Sequence, residues 1–171
     1  MTVRVSDREE SSCQYADSAK ELAVRVGQIV VNGPKKYLMS HGNHLICCSQ
    51  DLYMHCQIAN GIYPTRGPNL RSDYEQRRKH LLEARGRVDH VCSSAKIFLD
   101  LSSGNIADLD ESDPSYEAKR RKIERDKARN SKRKQEVGRR CARLAKLLNG
   151  VIRSDYERFR KYNGGQGEAR K

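Results

Sequence analysis

Tryptophan is absent from this 171-residue sequence, phenylalanine occurs twice, and hydrophobic residues make up 36% of the chain. So few large apolar side chains predict an economical core, or a core that is shared with another subunit. The sequence has no apolar run near the roughly 20 residues of a membrane-spanning helix, and its first residues lack the apolar segment of a secretory signal. We therefore expect a cytoplasmic protein that does not enter membranes and whose six cysteines are reduced, mostly buried thiols.

Positive charge, in contrast, is abundant. The chain contains 34 lysine and arginine residues against 22 acidic ones, which gives a formal net charge of +12. An excess of this size favours a polyanionic partner. The excess is concentrated between residues 117 and 140, where four acidic residues accompany twelve cations: Lys119, Arg120, Arg121, Lys122, Arg125, Lys127, Arg129, Lys132, Arg133, Lys134, Arg139 and Arg140.

These cations belong to a long predicted helix over residues 114–162. Asp113 offers an N-cap acceptor, and Pro114 suits the first helical position. The second half of this helix carries apolar residues at three- and four-residue steps, which is typical of a helix packed on a core. The first half carries cations on every face. The basic segment, residues 114–140, is therefore predicted to be an N-terminal extension of a docked helix.

Three further helices are predicted before it, because apolar residues recur there with the period of an α-helix. They span about residues 17–32, 34–60 and 70–101. Asn-Gly-Pro at residues 32–34 separates the first two. Gly42 weakens the case for a continuous second helix.

Four helices with short connections predict an all-α fold, an antiparallel four-helix bundle over residues 17–162. No alternation of polar and apolar residues indicates a strand. We expect a flexible N-terminus at residues 1–16 and a flexible tail at residues 163–171.

A second set of cations lies on the predicted third helix. Arg71, Arg78 and Arg85 are seven residues apart and so share one face. In a ring-shaped oligomer such a row repeats by symmetry and forms a positive belt. The alternative is that they are ordinary surface charges. Both sets of cations are candidate nucleic-acid-binding residues.

Metal and catalytic sites find less support. His41, His44 and Cys48 would share one side of a regular second helix, where zinc could take all three. No CxxC or HxxxH pair accompanies them, and Cys48 already belongs to the apolar stripe. The sequence also lacks the P-loop, GxSxG and HExxH motifs. We therefore predict no metal ligands, no cofactor and no enzymatic activity.

Three stretches, taken in order and spacing, resemble a known family. The stretches are residues 33–37 (GPKKY) with 59–64 (ANGIYP), residues 77–84 (RRKHLLEA) and residues 147–155 (LLNGVIRSD). They resemble the four-helix-bundle accessory variability determinants of diversity-generating retroelements, which are related to the bundle proteins of ribosomal-RNA intervening sequences.

The resemblance implies a homopentameric barrel of bundles with a basic surface. It also implies a non-enzymatic accessory subunit that binds a reverse transcriptase, a structured RNA and the cDNA made by mutagenic copying of that RNA. Residues 102–136 depart from the family pattern, because a shorter connection is expected there. The basic extension therefore inherits no role from the family.

Other interpretations of the basic segment stay open. A stand-alone DNA-binding regulator could use the same helix, although residues 128–133 lack the base-reading sequence of basic-zipper proteins. A structural module could bind an acidic protein, or the helix could simply be solvated. Like charges four residues apart, as at Arg121 and Arg125, repel one another, so binding of an anion should help to order the segment.

Overall fold

The computed structural model describes the backbone of residues 6–164 and the side chains of residues 14–163. The fold is all-α, and the described residues contain no β-strand. The four long helices are α1 (Ser6–Val31), α3 (Asn43–Gly61), α4 (Leu70–Leu101) and α5 (Tyr116–Gly164), and α2 (Lys35–Tyr37) is a single turn. No described helix combines the length and the hydropathy that crossing a bilayer requires.

The core lies between the four long helices. α3 packs against α1 and α4, and α5 packs against α4 and α1. Each helix contributes a stripe of buried side chains at helical spacing, which confirms the predicted periodicity. The stripes include Leu22, Val26 and Ile29 of α1, Leu45, Leu52 and Cys56 of α3, Leu81, Val88 and Phe98 of α4, and Val137, Leu144 and Leu148 of α5.

The first helix begins earlier than predicted. Residues 1–16 were expected to be flexible, but α1 starts at Ser6, and Tyr15 and Ala16 are buried in the core. Tyr15 precedes Ala19 and Leu22 by four and seven residues, so it continues their stripe by one turn. At the other end, Asn163 and Gly164 belong to α5. The remaining positions of the two predicted flexible ends, 1–5 and 165–171, lie outside the described residues.

The predicted second helix is divided. A π-helical segment, Leu38–Gly42, separates α2 from α3. Gly42 ends this segment and lies close to neighbouring helices, since a Cβ atom there would lie 2.8 Å from Cγ1 of Val30 and 3.5 Å from the Phe98 ring. The bare backbone therefore packs where a side chain would not fit. The weak point seen in the sequence is thus a site of close helix approach.

The third and fourth helices follow the predictions more closely. α4 covers the predicted residues 70–101, and α5 begins at Tyr116, two residues after the predicted start. Asp113 accepts hydrogen bonds from the backbone N–H of Ser115 at 2.7 Å and from its hydroxyl at 2.6 Å. Lys119 also donates to Asp113 and holds the pKa of this carboxyl well below its usual range.

A buried ion pair fixes one end of the fold. Arg77 of α4 donates to Asp155 of α5 at 2.5 Å, and their side chains are 6% and 7% exposed. The same guanidinium donates to the carbonyl oxygens of Ala59 and Ile62, at 2.5 and 2.8 Å. One arginine therefore connects α4, α5 and the end of α3. The local sequence does not distinguish Arg77 from the exposed cations beside it, so this role was not predicted.

Candidate nucleic-acid interface

A row of seven exposed cations runs along the solvent side of α5, and we call it the α5 ridge. Five of its members recur every seven residues from position 125 to position 153, and two more lie on the same face. All seven side chains are exposed to solvent. The members are Arg121, Arg125, Lys132, Arg139, Arg143, Lys146 and Arg153.

The ridge lies on the face of α5 opposite to the core. At 3.6 residues per turn, its seven positions fall within about 80° around the helix axis. Asn130, Val137 and Leu148 project from the opposite side and are buried. From Arg121 to Arg153 the ridge is about 48 Å long, at 1.5 Å per residue.

The ridge cations have no carboxylate partner within ion-pair distance among the described side chains. Arg125 and Arg139 donate only to backbone carbonyls one turn earlier, at 3.3 and 3.4 Å. Glu136 is one turn after Lys132, but it accepts instead from Arg25 of α1 at 2.6 Å and from Arg140 at 3.2 Å. The acid nearest to the middle of the ridge is therefore already paired with α1 and does not neutralise Lys132.

Glu136 is held as a carboxylate by these contacts. The hydrogen bond from Arg25, supported by Arg140, lowers the pKa of Glu136 below its ordinary value. The ion pairs join α1 to α5 on the side of the ridge. They stabilise the docked half of α5 and leave the ridge itself positive.

Other predicted cations of the basic segment are neutralised within the chain. Five of the twelve form ion pairs, so they contribute little net charge to an interface. The pairs are Lys119 with Asp113, Arg120 with Glu117 and Glu124, Arg129 with Asp126, Lys134 with Asp100, and Arg140 with Glu136 and Glu21.

Three predicted cations lie off the ridge and have no ion-pair partner among the described side chains: Lys122, Lys127 and Arg133. Lys122 and Arg133 line a cavity of about 300 Å³ between α1, α4 and α5. Burial there, together with the charges of Arg129 and Arg25, lowers the pKa of Arg133. All three positions lie about 100° or more around the helix axis from the centre of the ridge.

The positive charge of the predicted row on α4 is largely neutralised by nearby acids. Arg71 donates to Glu75 at 2.9 Å, and Arg85 donates to Asp89 at 2.7 Å. Both acids lie one turn after the arginine that they neutralise. Arg78 is exposed and lacks an ion-pair partner among the described side chains. The row shares a face as predicted, but its net charge is small.

Three members of the ridge were not among the predicted binding residues: Arg143, Lys146 and Arg153. They lie in the half of α5 that carries the core stripe, on the opposite face of the helix. The sequence does contain a signal for two of them, because Lys146 and Arg153 continue the seven-residue spacing of Arg125, Lys132 and Arg139. The cations of the α4 row have the same spacing.

The structure also rearranges the histidines considered as metal ligands. His41 lies in the π-helical segment, where its Nδ1 atom contacts the Ser40 hydroxyl at 2.8 Å. His44 and Cys48 lie together on α3, and His90 of α4 joins them. The grouping considered for a regular second helix is thus not the one that the structure forms, because the residue that joins His44 and Cys48 comes from another helix.

The α5 ridge is thus a long cationic surface, without ion-pair partners among the described side chains, that is held on one side of a packed core. Such a surface suits a chain of phosphates, whose charges it can neutralise one by one. No protein-family model, curated protein or solved structure matches this chain.

Proposed function

We propose that this protein binds nucleic acid through the α5 ridge and performs no catalysis. The observation that carries the proposal is the absence of acidic partners along the ridge, among the described side chains, in a chain that pairs many of its other cations. Unpaired cations in a row raise the local positive potential and attract a polyanion. Cations that already have an acidic partner add much less.

The ridge would contact the phosphate backbone and would not read base sequence. Contacts to phosphate position a protein on nucleic acid without carrying sequence information. Each neutralised phosphate makes the slope of log affinity against log salt more negative by about 0.9 for B-DNA or about 0.7 for single strands. A ridge of seven cations therefore gives a steep salt dependence.

We further propose that the four helices form an antiparallel bundle with a basic N-terminal extension of α5. Arg77, early in α4, contacts Asp155, late in α5. Lys134, earlier in α5, contacts Asp100 at the end of α4. The residues of α5 before about position 130 then extend past the end of α4 and present cations on several sides.

The resemblance to retroelement accessory proteins supplies the narrower proposal. In it, the protein is an accessory subunit of a reverse transcriptase and binds the structured RNA that is copied into cDNA. The three stretches that carry the resemblance support it, because they meet in one buried network. The first stretch contributes Ala59 and Ile62, the second Arg77 and the third Asp155. A structural centre of this kind explains why these stretches would occur together.

Self-association, as a homopentamer, belongs to the same proposal. Val24, Leu82 and Ile97 are 54%, 46% and 52% exposed. Exposed apolar side chains on α1 and α4 are suited to burial by a neighbouring subunit. In a ring, each copy would add its ridge to a repeating positive surface.

The ridge is tested by removing three of its charges. In the full chain, R125Q/K132Q/R139Q should weaken binding to single-stranded RNA and make its salt slope shallower by about 2, three contacts at about 0.7 each. R71Q/R78Q/R85Q removes the same charge from the α4 row and serves as the matched control. Equal losses in both variants would show that net charge alone governs binding, and no loss in the first would exclude the ridge.

The partner is tested separately by purifying the tagged protein from its native host at moderate salt. The proposal expects a reverse transcriptase and one structured RNA in the eluate. Bulk DNA without a polymerase would contradict the accessory role and favour a DNA-binding regulator. An acidic protein without nucleic acid would contradict both.

A further inference from the structure

Two histidines and a cysteine meet where α3 packs on α4. His44 and Cys48 are one turn apart on α3, and His90 lies opposite on α4. Their nitrogen and sulfur atoms all lie within 4.8 Å of one another. The ring centroids of the two histidines are 5.3 Å apart. None of these residues belongs to the α5 ridge or to the buried network around Arg77.

The spacing of these atoms suits a tetrahedral metal ion. Zinc lies about 2.3 Å from a cysteine sulfur and about 2.0–2.1 Å from a histidine nitrogen, so a tetrahedral site separates the two ligands by about 3.6 Å. The Nε2 atom of His44 lies 3.5 Å from the Sγ atom of Cys48. His44 and Cys48 therefore already have the separation of two zinc ligands. The ligand atom of His90 lies within 4.8 Å of both others, so an approach of no more than about 1.5 Å completes the tetrahedral spacing.

The burial of the three groups also suits a metal site. Cys48 is 4% exposed and is fixed in the packed face of α3, whereas both histidines are exposed. A fourth position is thus left on the solvent side, where water can complete the coordination. One thiolate with two imidazoles is a donor set that favours zinc over magnesium or calcium.

An ion pair joins the same two helices beside the three groups. Arg87 of α4, one turn before His90, contacts Asp51 of α3, one turn after Cys48, at 3.2 Å. This contact helps to hold α3 and α4 together next to the cluster.

We propose that His44, Cys48 and His90 form a Zn²⁺ site that links α3 to α4, with water at the fourth position. The ligands come from two helices that are separated by a loop, so the ion would act as a cross-link across the packed seam. Binding would stabilise the folded chain, because the unfolded chain does not hold the three groups together.

Metal binding to the full-length, reduced and chelator-treated protein tests the site. Zn²⁺ should bind with one-to-one stoichiometry in a competition titration and raise the melting temperature. Co²⁺ should give a near-ultraviolet absorption band from charge transfer between thiolate and metal. H90A should raise the dissociation constant by at least about 100-fold, more than the 10–100-fold typical of losing an outer group. C48S should abolish the cobalt band.

Two matched variants separate this site from adventitious binding. Cys47 is the exposed neighbour of Cys48, and His55 forms another contact across the same seam, with His80 at 3.0 Å between their Nδ1 atoms. C47S and H55A should therefore retain the affinity and the cobalt band. His90 is exposed, so H90A should keep the helical circular dichroism spectrum. One-to-one binding that survives H90A, or a cobalt band lost in C47S and kept in C48S, would overturn the proposal.

Discussion

The row on α4 and the ridge on α5 have the same sequence pattern and opposite electrostatic outcomes. Both place a cation every seven residues on one helical face. On α4, Glu75 and Asp89 lie one turn after Arg71 and Arg85 and neutralise them. On α5, the acid at the corresponding place after Lys132 is engaged by α1. The positions of the acids, more than the spacing of the cations, decide which row keeps unpaired positive charge.

A third outcome occurs within α4 itself. Arg77 and Arg78 are adjacent in the sequence, yet Arg77 is buried and Arg78 is exposed. Arg77 satisfies its guanidinium with one carboxylate and two carbonyls. A buried charge needs such partners, because its desolvation is costly. Neighbouring arginines therefore serve stability and surface charge separately.

The largest expected effect is the difference in stability between replacing Arg77 and replacing Arg78. R77A should lower the free energy of unfolding by about 3–5 kcal/mol, since it leaves Asp155 as an unpaired buried charge. R78A should change it by less than about 0.5 kcal/mol, as is usual for an exposed side chain. Urea unfolding of both variants measures the difference. Similar values for the two would mean that the ion pair is not buried in solution.

The next effect would convert the α4 row into a second ridge. E75Q/D89Q removes the two acids that neutralise it, so the salt slope of RNA binding should become more negative by up to about 1.4, two contacts at about 0.7 each. The loss in stability should be small, because exposed pairs one turn apart contribute about 0.3–0.5 kcal/mol. A slope that does not change would show that the α4 row lies outside the interface for another reason.

The converse change adds an acid to the ridge. Gly150 is one turn after Lys146, and a Cβ atom there would meet no atom of another element within 4 Å. G150E should make the salt slope less negative by about 0.7, one contact. G150A is the control, because both variants replace a helical glycine and should stabilise the fold by about 0.5–1 kcal/mol. Weaker binding by G150A as well would assign the effect to the helix and not to charge.

The smallest expected effect is the contribution of Glu136, which pairs with Arg25 of α1, to the free energy of unfolding. The pKa of Glu136 in the folded protein is lowered from its ordinary value of 4.5, so its ion pairs stabilise the fold above that pH. This contribution, up to about 1 kcal/mol, should disappear as the pH falls through the lowered value. Unfolding of E136Q and of the unmodified chain should therefore differ at neutral pH and converge in acid. A constant difference would contradict the assignment.

Much of the fold could be predicted from local patterns. The stripes of α4 and α5 gave the right helices because Leu81, Val88, Leu144 and Leu148 repeat at the helical period and are all buried. Gly42 indicated the place where the second helix is interrupted, but its close approach to Val30 and Phe98 could not be predicted. Those two residues belong to other helices.

The candidate sites show the same limit. The spacing of the cations was visible, but their neutralisation by Glu21 and Asp100 joins residues more than thirty positions apart. The role of Arg77 and the approach of His90 to Cys48 likewise depend on contacts between helices. Local sequence predicts which side chains share a face, whereas packing decides what those side chains meet.

The unbroken length of α5 fixes the spacing of the ridge cations along the helix axis. One helix of 49 residues carries both the core stripe and the cations. The backbone hydrogen bonds that hold the stripe in place therefore also set the distance between successive ridge cations. From Arg125 to Arg153 the ridge measures about 42 Å, in steps of about 10.5 Å. Under the proposed function, the number of phosphates that the ridge can contact at once depends on the length and curvature of the bound nucleic acid.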